Sequence, residues 1–159
     1  MTTKSDYTEK EWEDLLQAPI MAGMYIMVAD VSVTAMGKEM AGMLKAIQAQ
    51  EAPDDAKELV GAIVADIVAK SSNKEKLEQP ELDKQQDPKV QIMKILKDDL
   101  AALDEKSTPE EKAGVGAWLM TVAQATAEAG REGGFLGIGS VRVSDKEKVA
   151  LAELEAELV

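Results

Sequence analysis

Residues 19–30 read PIMAGMYIMVAD, and this stretch decides the fold. Its apolar side chains would point to every side of a helix, which is typical of a helix surrounded by other helices. The uncharged run from Ala18 to Ala29 is 12 residues long, whereas a helix that crosses a bilayer needs roughly 20. We therefore expect a central buried helix and no membrane span. Pro19 predicts the start of this helix and the end of a shorter helix over 8–17.

Capping signals place the other helices around this core. Thr8, Thr108 and Ser144 are each followed three residues later by a glutamate, the sequence signature of a capping box. The remaining helix boundaries follow from prolines and from apolar residues spaced three and four positions apart. The further helices are expected over about 36–51, 54–70, 88–106, 109–130 and 144–159. Residues 71–87 read as a polar linker within the domain, and residues 1–7 as a loose start.

The sequence thus predicts an all-α fold: one compact domain over residues 1–159, with six or seven helices and one glycine-rich ordered loop. Spacing also assigns the inward faces. In the helix over 36–51 the inward residues are Met36, Met40, Met43, Leu44 and Ile47. In the helix over 88–106 they are Val90, Ile92, Met93, Leu96, Leu100 and Leu103, which leaves Asp98 and Asp99 on a solvated face. Small residues predict close helix approach at Gly61, Ala62, Ala65, Gly114 and Gly116.

Composition excludes several kinds of chemistry. The chain has no cysteine and no histidine, which removes thiol nucleophiles, zinc ribbons and imidazole bases. No cofactor is predicted, and we expect a protein that is not an enzyme. The net charge of −12 disfavours nucleic acid and anionic membranes as partners. Because no signal peptide is visible either, a cytoplasmic location is the default.

The stretch GREGGFLGIGSVRVS, residues 130–144, holds five of the eleven glycines and both arginines. Convergent backbone N–H groups and two arginines suit an anion such as phosphate. The candidate residues for such a ligand site are Arg131, Gly133, Gly134, Gly137, Gly139 and Arg142. The alternative is a helix connection in which Gly130 ends one helix and the arginines pair with the protein's own carboxylates.

Two acidic residues, Asp30 and Asp66, fall in otherwise apolar helical sequence. A buried carboxylate is a candidate ligand for a hard divalent metal. The alternatives are a helix-capping role for Asp30 and partial exposure with structural pairing for Asp66. Six of the nine methionines lie between residues 21 and 43. They fit either a core stripe or an adaptable binding face.

The last third of the chain resembles a known family. WLMTVAQATAEAG, a turn, and then Val143-Ser144-Asp145-Lys146-Glu147 with a leucine-striped helix are similar to the TerB-like helical domains of bacterial tellurite-resistance and stress proteins. MAGMYIMVADVSV resembles an earlier part of that pattern, with Asp30 at its acidic position. The resemblance implies a helical fold and metal binding.

Together these features predict a protein-interaction or stress-associated binding module, with a protein partner or a second copy of the chain. The two alternatives are an anionic small-ligand site in 130–144 and carboxylate-based metal binding at Asp30 or Asp66. The lead hypothesis predicts an exposed apolar patch on the folded protein.

Overall fold

The computed structural model describes residues 1–77, 79–130 and 143–159, and in these residues the protein is an all-α bundle without strands. The predicted fold class is confirmed. Two single 3-10 turns, Lys4–Asp6 and Asp54–Ala56, accompany the helices. The helices are α1 (Glu9–Ala29), α2 (Val33–Ala49), α3 (Lys57–Ser72), α4 (Pro88–Lys106), α5 (Pro109–Ala129) and α6 (Asp145–Leu158).

Helix α1 continues through Pro19, so the predicted division into two helices at this proline is wrong. Proline lacks an N–H, and the carbonyl of Leu15 therefore loses its helical partner, at a cost of about 3 kcal/mol. Apolar side chains on both sides of the proline are fully buried, including Leu16 and Met21. Each contributes roughly 1.5–3 kcal/mol on burial. Burial along the whole length of the helix therefore outweighs one missing hydrogen bond.

Helices α1 and α5 form the centre of the bundle. Helix α2 packs along α5, α4 packs along α1, and α6 closes against both central helices. Two predicted close approaches are confirmed: a Cβ at Gly116 would lie 2.1 Å from the Leu158 carbonyl oxygen, and one at Gly114 would lie 2.6 Å from Ala56 Cβ. The approach expected at Gly61 is wrong, since a Cβ there would meet only the end of the Gln50 side chain.

Two of the three predicted capping boxes are complete, at Thr8 and at Ser144. At the start of α5, Thr108 accepts a hydrogen bond from the Glu111 N–H, but the Glu111 carboxylate does not return to Thr108. Glu111 Oε1 instead accepts a hydrogen bond from the backbone N–H of Thr2, with an N···O distance of 2.7 Å. This contact holds the N-terminal segment against α5. Residues 1–7, expected to be loose, are therefore packed in place, with Tyr7 buried.

The remaining helix ends lie next to polar segments of the sequence. Helix α3 runs to Ser72, and the described residues of 73–87 contain turns but no helix. Asp87 begins α4 by accepting a hydrogen bond from the Lys89 N–H. Gly130 is the C-terminal cap of α5, as the sequence predicts, and it has a right-handed conformation with φ −62°. Its missing side chain makes room for Glu39, whose Oε1 would lie 2.5 Å from a Cβ.

Candidate functional site

The residues predicted for an anionic ligand lie outside the part of the chain that the structure describes. They are Arg131, Gly133, Gly134, Gly137, Gly139 and Arg142. The described chain ends at Gly130 on one side and resumes at Val143, just before the Ser144 cap. The anionic-ligand site therefore stays a prediction.

The predicted metal ligands are far apart and have local partners. Asp66 accepts hydrogen bonds from Lys4 Nζ at 2.5 Å and from the Trp12 indole N–H at 2.8 Å. The hydrogen bond from Lys4 lowers the pKa of Asp66. Asp30 lies at the other end of α1, where it is the C-terminal cap, about 27 Å along the helix from Trp12. The structure does not bring the two carboxylates together. No group of three acidic side chains in the described residues is suited to hold a metal ion.

The methionines divide between the core and the surface. Met21 and Met43 are fully buried, whereas Met36 is 44% exposed and Met40 is 40% exposed. Two of the five predicted inward residues of α2, Met43 and Ile47, are buried, whereas Met36, Met40 and Leu44 are exposed. The rotation of α2 about its own axis is fixed by Gly42, which contacts α5 so closely that an added Cβ would lie 2.3 Å from Ala129 Cβ.

The outward residues of α2 lead into an apolar groove. Leu44 is 44% exposed and lines a cavity of about 380 Å3 between α2 and α3. Ile20, Ile47, Ile67, Val68 and Leu77 supply most of its apolar lining. We call Met36, Met40, Leu44 and this groove the α2 surface.

Charge on the α2 surface differs from that of the whole protein. Helix α2 has three charged residues, Lys38, Glu39 and Lys45, and Glu39 is buried while both lysines are exposed. Beyond α3, Lys74 and Lys76 are exposed in the segment whose neighbours Glu75 and Leu77 line the groove. In a chain of net charge −12, two exposed lysines therefore flank the single acid of the groove lining, Glu75.

Asp99 on α4 is a candidate that sequence reasoning missed. It was placed with Asp98 on a solvated face, and for Asp99 this is wrong, because it is only 4% exposed. Burial raises its pKa to about 7, and the nearby Asp14 carboxylate adds to the effect. Ile92, Leu96 and Leu103 are buried on the same helix face. Intervals of four, three and four residues from Ile92 through Leu96 and Asp99 to Leu103 carry the signal that would have found it.

Comparison with protein-family models, with curated proteins and with solved structures finds no match to this chain. The resemblance to TerB-like domains therefore stays a prediction. No helix in the described ranges is long and apolar enough to span a membrane. The α2 surface and Asp99 are the features of the described residues that bear most directly on function.

Proposed function

We propose that this protein is a binding module, not an enzyme, whose α2 surface receives an acidic amphipathic helix of a partner protein. The observation that carries the proposal is the outward row formed by Met36, Met40 and Leu44 beside the groove. Single exposed apolar residues are ordinary on a protein surface. A contiguous row beside an apolar groove is characteristic of an interaction site.

The spacing of the row favours a helical partner. Residues 36, 40 and 44 recur every four positions, so their side chains run nearly parallel to the axis of α2. A partner helix laid along this row can place its own apolar residues between them and into the groove, as helix-in-groove complexes do. Methionine is unbranched and flexible, so Met36 and Met40 can adapt to the side chains they meet.

The local charge favours an acidic partner. Lys74 and Lys76 are exposed on either side of Glu75 in the segment that lines the groove, and α2 itself exposes no carboxylate. The protein's overall charge opposes an acidic partner only at long range, because charges more than about 8 Å apart are largely screened at physiological salt. Within contact distance Lys74 and Lys76 attract the acidic face of the bound helix and steer its orientation.

The absence of cysteine and histidine from the sequence supports a binding role over catalysis, since the commonest nucleophile–base and acid–base devices need one of them. Carboxylate chemistry needs a pair of acids placed around a substrate cavity. The groove of the α2 surface has one acid in its lining, Glu75, and not a pair.

The test uses a fluorescent synthetic helical peptide with leucine on one face and glutamate on the other, measured by anisotropy. We expect Met40→Glu and Leu44→Glu each to weaken binding by at least about tenfold, which is 1.4 kcal/mol. Val149→Glu is the matched control, because it makes the same kind of change at an exposed residue of α6. That variant should bind as the wild type does.

Two further measurements decide between occupants. A peptide with lysine in place of glutamate should bind more weakly, and equal binding would contradict the acidic partner. Sedimentation of the protein alone should give a monomer at concentrations where the acidic peptide binds. A dimer that Met40→Glu dissociates would instead assign the α2 surface to a second copy and overturn the proposal, as would unchanged binding in both glutamate variants.

A further inference from the structure

One glycine of α2 has no role in packing among the residues that the structure describes. Gly37 lies inside the helix and is exposed, and a Cβ added to it would meet no described atom within 4 Å. Other helical glycines make room for a neighbouring element. An added Cβ would collide with that neighbour at Gly23, Gly42, Gly114 and Gly116.

Glycine at position 37 weakens the helix without a return from the fold. Inside a helix glycine is less favourable than alanine, because its backbone loses more conformational freedom on folding. Gly37 is part of the regular helix Val33–Ala49, so no left-handed turn requires it. Such departures from local consistency are typical of functional positions. A molecule that binds to α2 from outside can use the space that the missing side chain leaves.

Gly37 lies beside the exposed row of the α2 surface. Residues that are three, four and seven positions apart on a helix are neighbours and surround one hole on its surface. Four exposed residues of α2 surround such a hole: Gly37, Met40, Ala41 and Leu44. Met40 and Leu44 form its high side, whereas Ala41 contributes only a methyl group and Gly37 no side chain. The hole is therefore deeper than one surrounded by four large side chains.

The lining of this hole suits a flat and bulky apolar side chain. The methyl group of Ala41 and the bare backbone at Gly37 leave a low surface on which the face of a ring can lie. Met40 provides a thioether sulfur, which makes favourable contacts with aromatic rings. Aromatic side chains bury the largest apolar areas and are enriched among the residues that dominate binding energies. A short side chain would leave the hole partly unfilled.

We propose that the partner helix is anchored by an aromatic side chain that it inserts into the hole at Gly37. The inference rests on the proposed function, because it specifies how a helix bound to the α2 surface is recognised. To the acidic and amphipathic character of the partner it adds one aromatic residue on the apolar face. It also gives Gly37 a role in binding that internal packing does not require.

Two fluorescent acidic helical peptides test the anchor by anisotropy. They differ at one central position of the apolar face, which is phenylalanine in the first peptide and alanine in the second. We expect the wild type to bind the phenylalanine peptide at least about tenfold more tightly. Part of this preference would arise on any apolar surface, so the decisive measurement is how the preference changes when the hole is filled.

Gly37→Ala fills part of the hole with a methyl group. It should weaken binding of the phenylalanine peptide about fivefold and leave binding of the alanine peptide unchanged. The variant should be at least as stable as the wild type in urea, so misfolding cannot account for the lost affinity. Gly61→Ala is the matched control, because an added Cβ on α3 would make only an ordinary contact with Gln50 Oε1 at 3.6 Å. It should bind both peptides as the wild type does.

Gly37→Leu fills the hole completely and should abolish the preference for phenylalanine. An undiminished preference in both Gly37 variants would overturn the aromatic anchor and would leave the α2 surface as the binding site. Equal weakening by Gly61→Ala would mean that the effect does not arise at the hole, and it would overturn the anchor in the same way. If neither peptide binds the wild type, the proposed function fails and the anchor fails with it.

Discussion

Replacing Asp99 with asparagine should change how the stability of the protein depends on pH. Burial raises the pKa of Asp99 from 3.8 to about 7 in the folded state, whereas in the unfolded chain it returns to its ordinary value. Between about pH 4 and pH 7 the folded state therefore binds more protons than the unfolded state does. Linkage then requires that this group lower the free energy of unfolding as pH rises, and the full effect is reached above pH 7.

The magnitude follows from the size of the shift. One pKa unit corresponds to 1.36 kcal/mol, so a rise of roughly three units lowers the free energy of unfolding by about 4 kcal/mol between pH 4 and pH 8. The slope through the middle of this range is about −1.4 kcal/mol per pH unit. Asparagine has a similar shape and no titration, so the variant should lack this slope. Any cost of burying its amide is the same at every pH.

Urea unfolding of wild type and variant at pH 4.5 and at pH 8 measures the difference. The free energy of unfolding of Asp99→Asn, relative to that of the wild type, should be about 3 kcal/mol higher at pH 8 than at pH 4.5. All other carboxylates contribute to both proteins and cancel. Asp98→Asn is the control, because its side chain is 65% exposed and it should follow the wild type. Parallel pH profiles for Asp99→Asn and wild type would refute the assignment of Asp99 as a buried acid.

Other substitutions test the packing and the N-terminal contacts. Gly116→Ala should destabilise the protein by about 1–3 kcal/mol in urea unfolding, because its methyl group would meet the Leu158 carbonyl. An unchanged free energy of unfolding would mean that α6 can shift along α5 to make room for the methyl group. Gly37→Ala is its counterpart on an open helix surface and should stabilise by about 0.5–1 kcal/mol. Trp12→Phe removes the indole hydrogen bond to Asp66 and should cost about 1 kcal/mol, and amide exchange should then quicken in residues 1–7.

Much of the helical layout could be predicted from local signals. Pro88, Thr108 and Ser144 mark helix starts that the structure places within one residue, because caps and prolines act on the backbone beside them. Pro19 failed as a breaker because its effect is a single lost hydrogen bond, whereas the burial that holds α1 together comes from helices distant in sequence. A local rule carries no information about that burial.

Helix faces were harder to predict, and the predictions for α2 and α4 failed for different reasons. Periodicity gives the direction of an apolar stripe but not the width that neighbouring helices cover. On α2 the apolar arc is wider than the contact with α5, so Met36, Met40 and Leu44 remain outside. On α4 Asp99 lies within the apolar stripe itself, between Leu96 and Leu103, and it was assigned to the surface only because it is charged. Packing alone gains nothing from an exposed apolar row or from a buried acid without a partner. Departures from local consistency concentrate at functional sites, which is why the proposed function rests on the exposed row of α2.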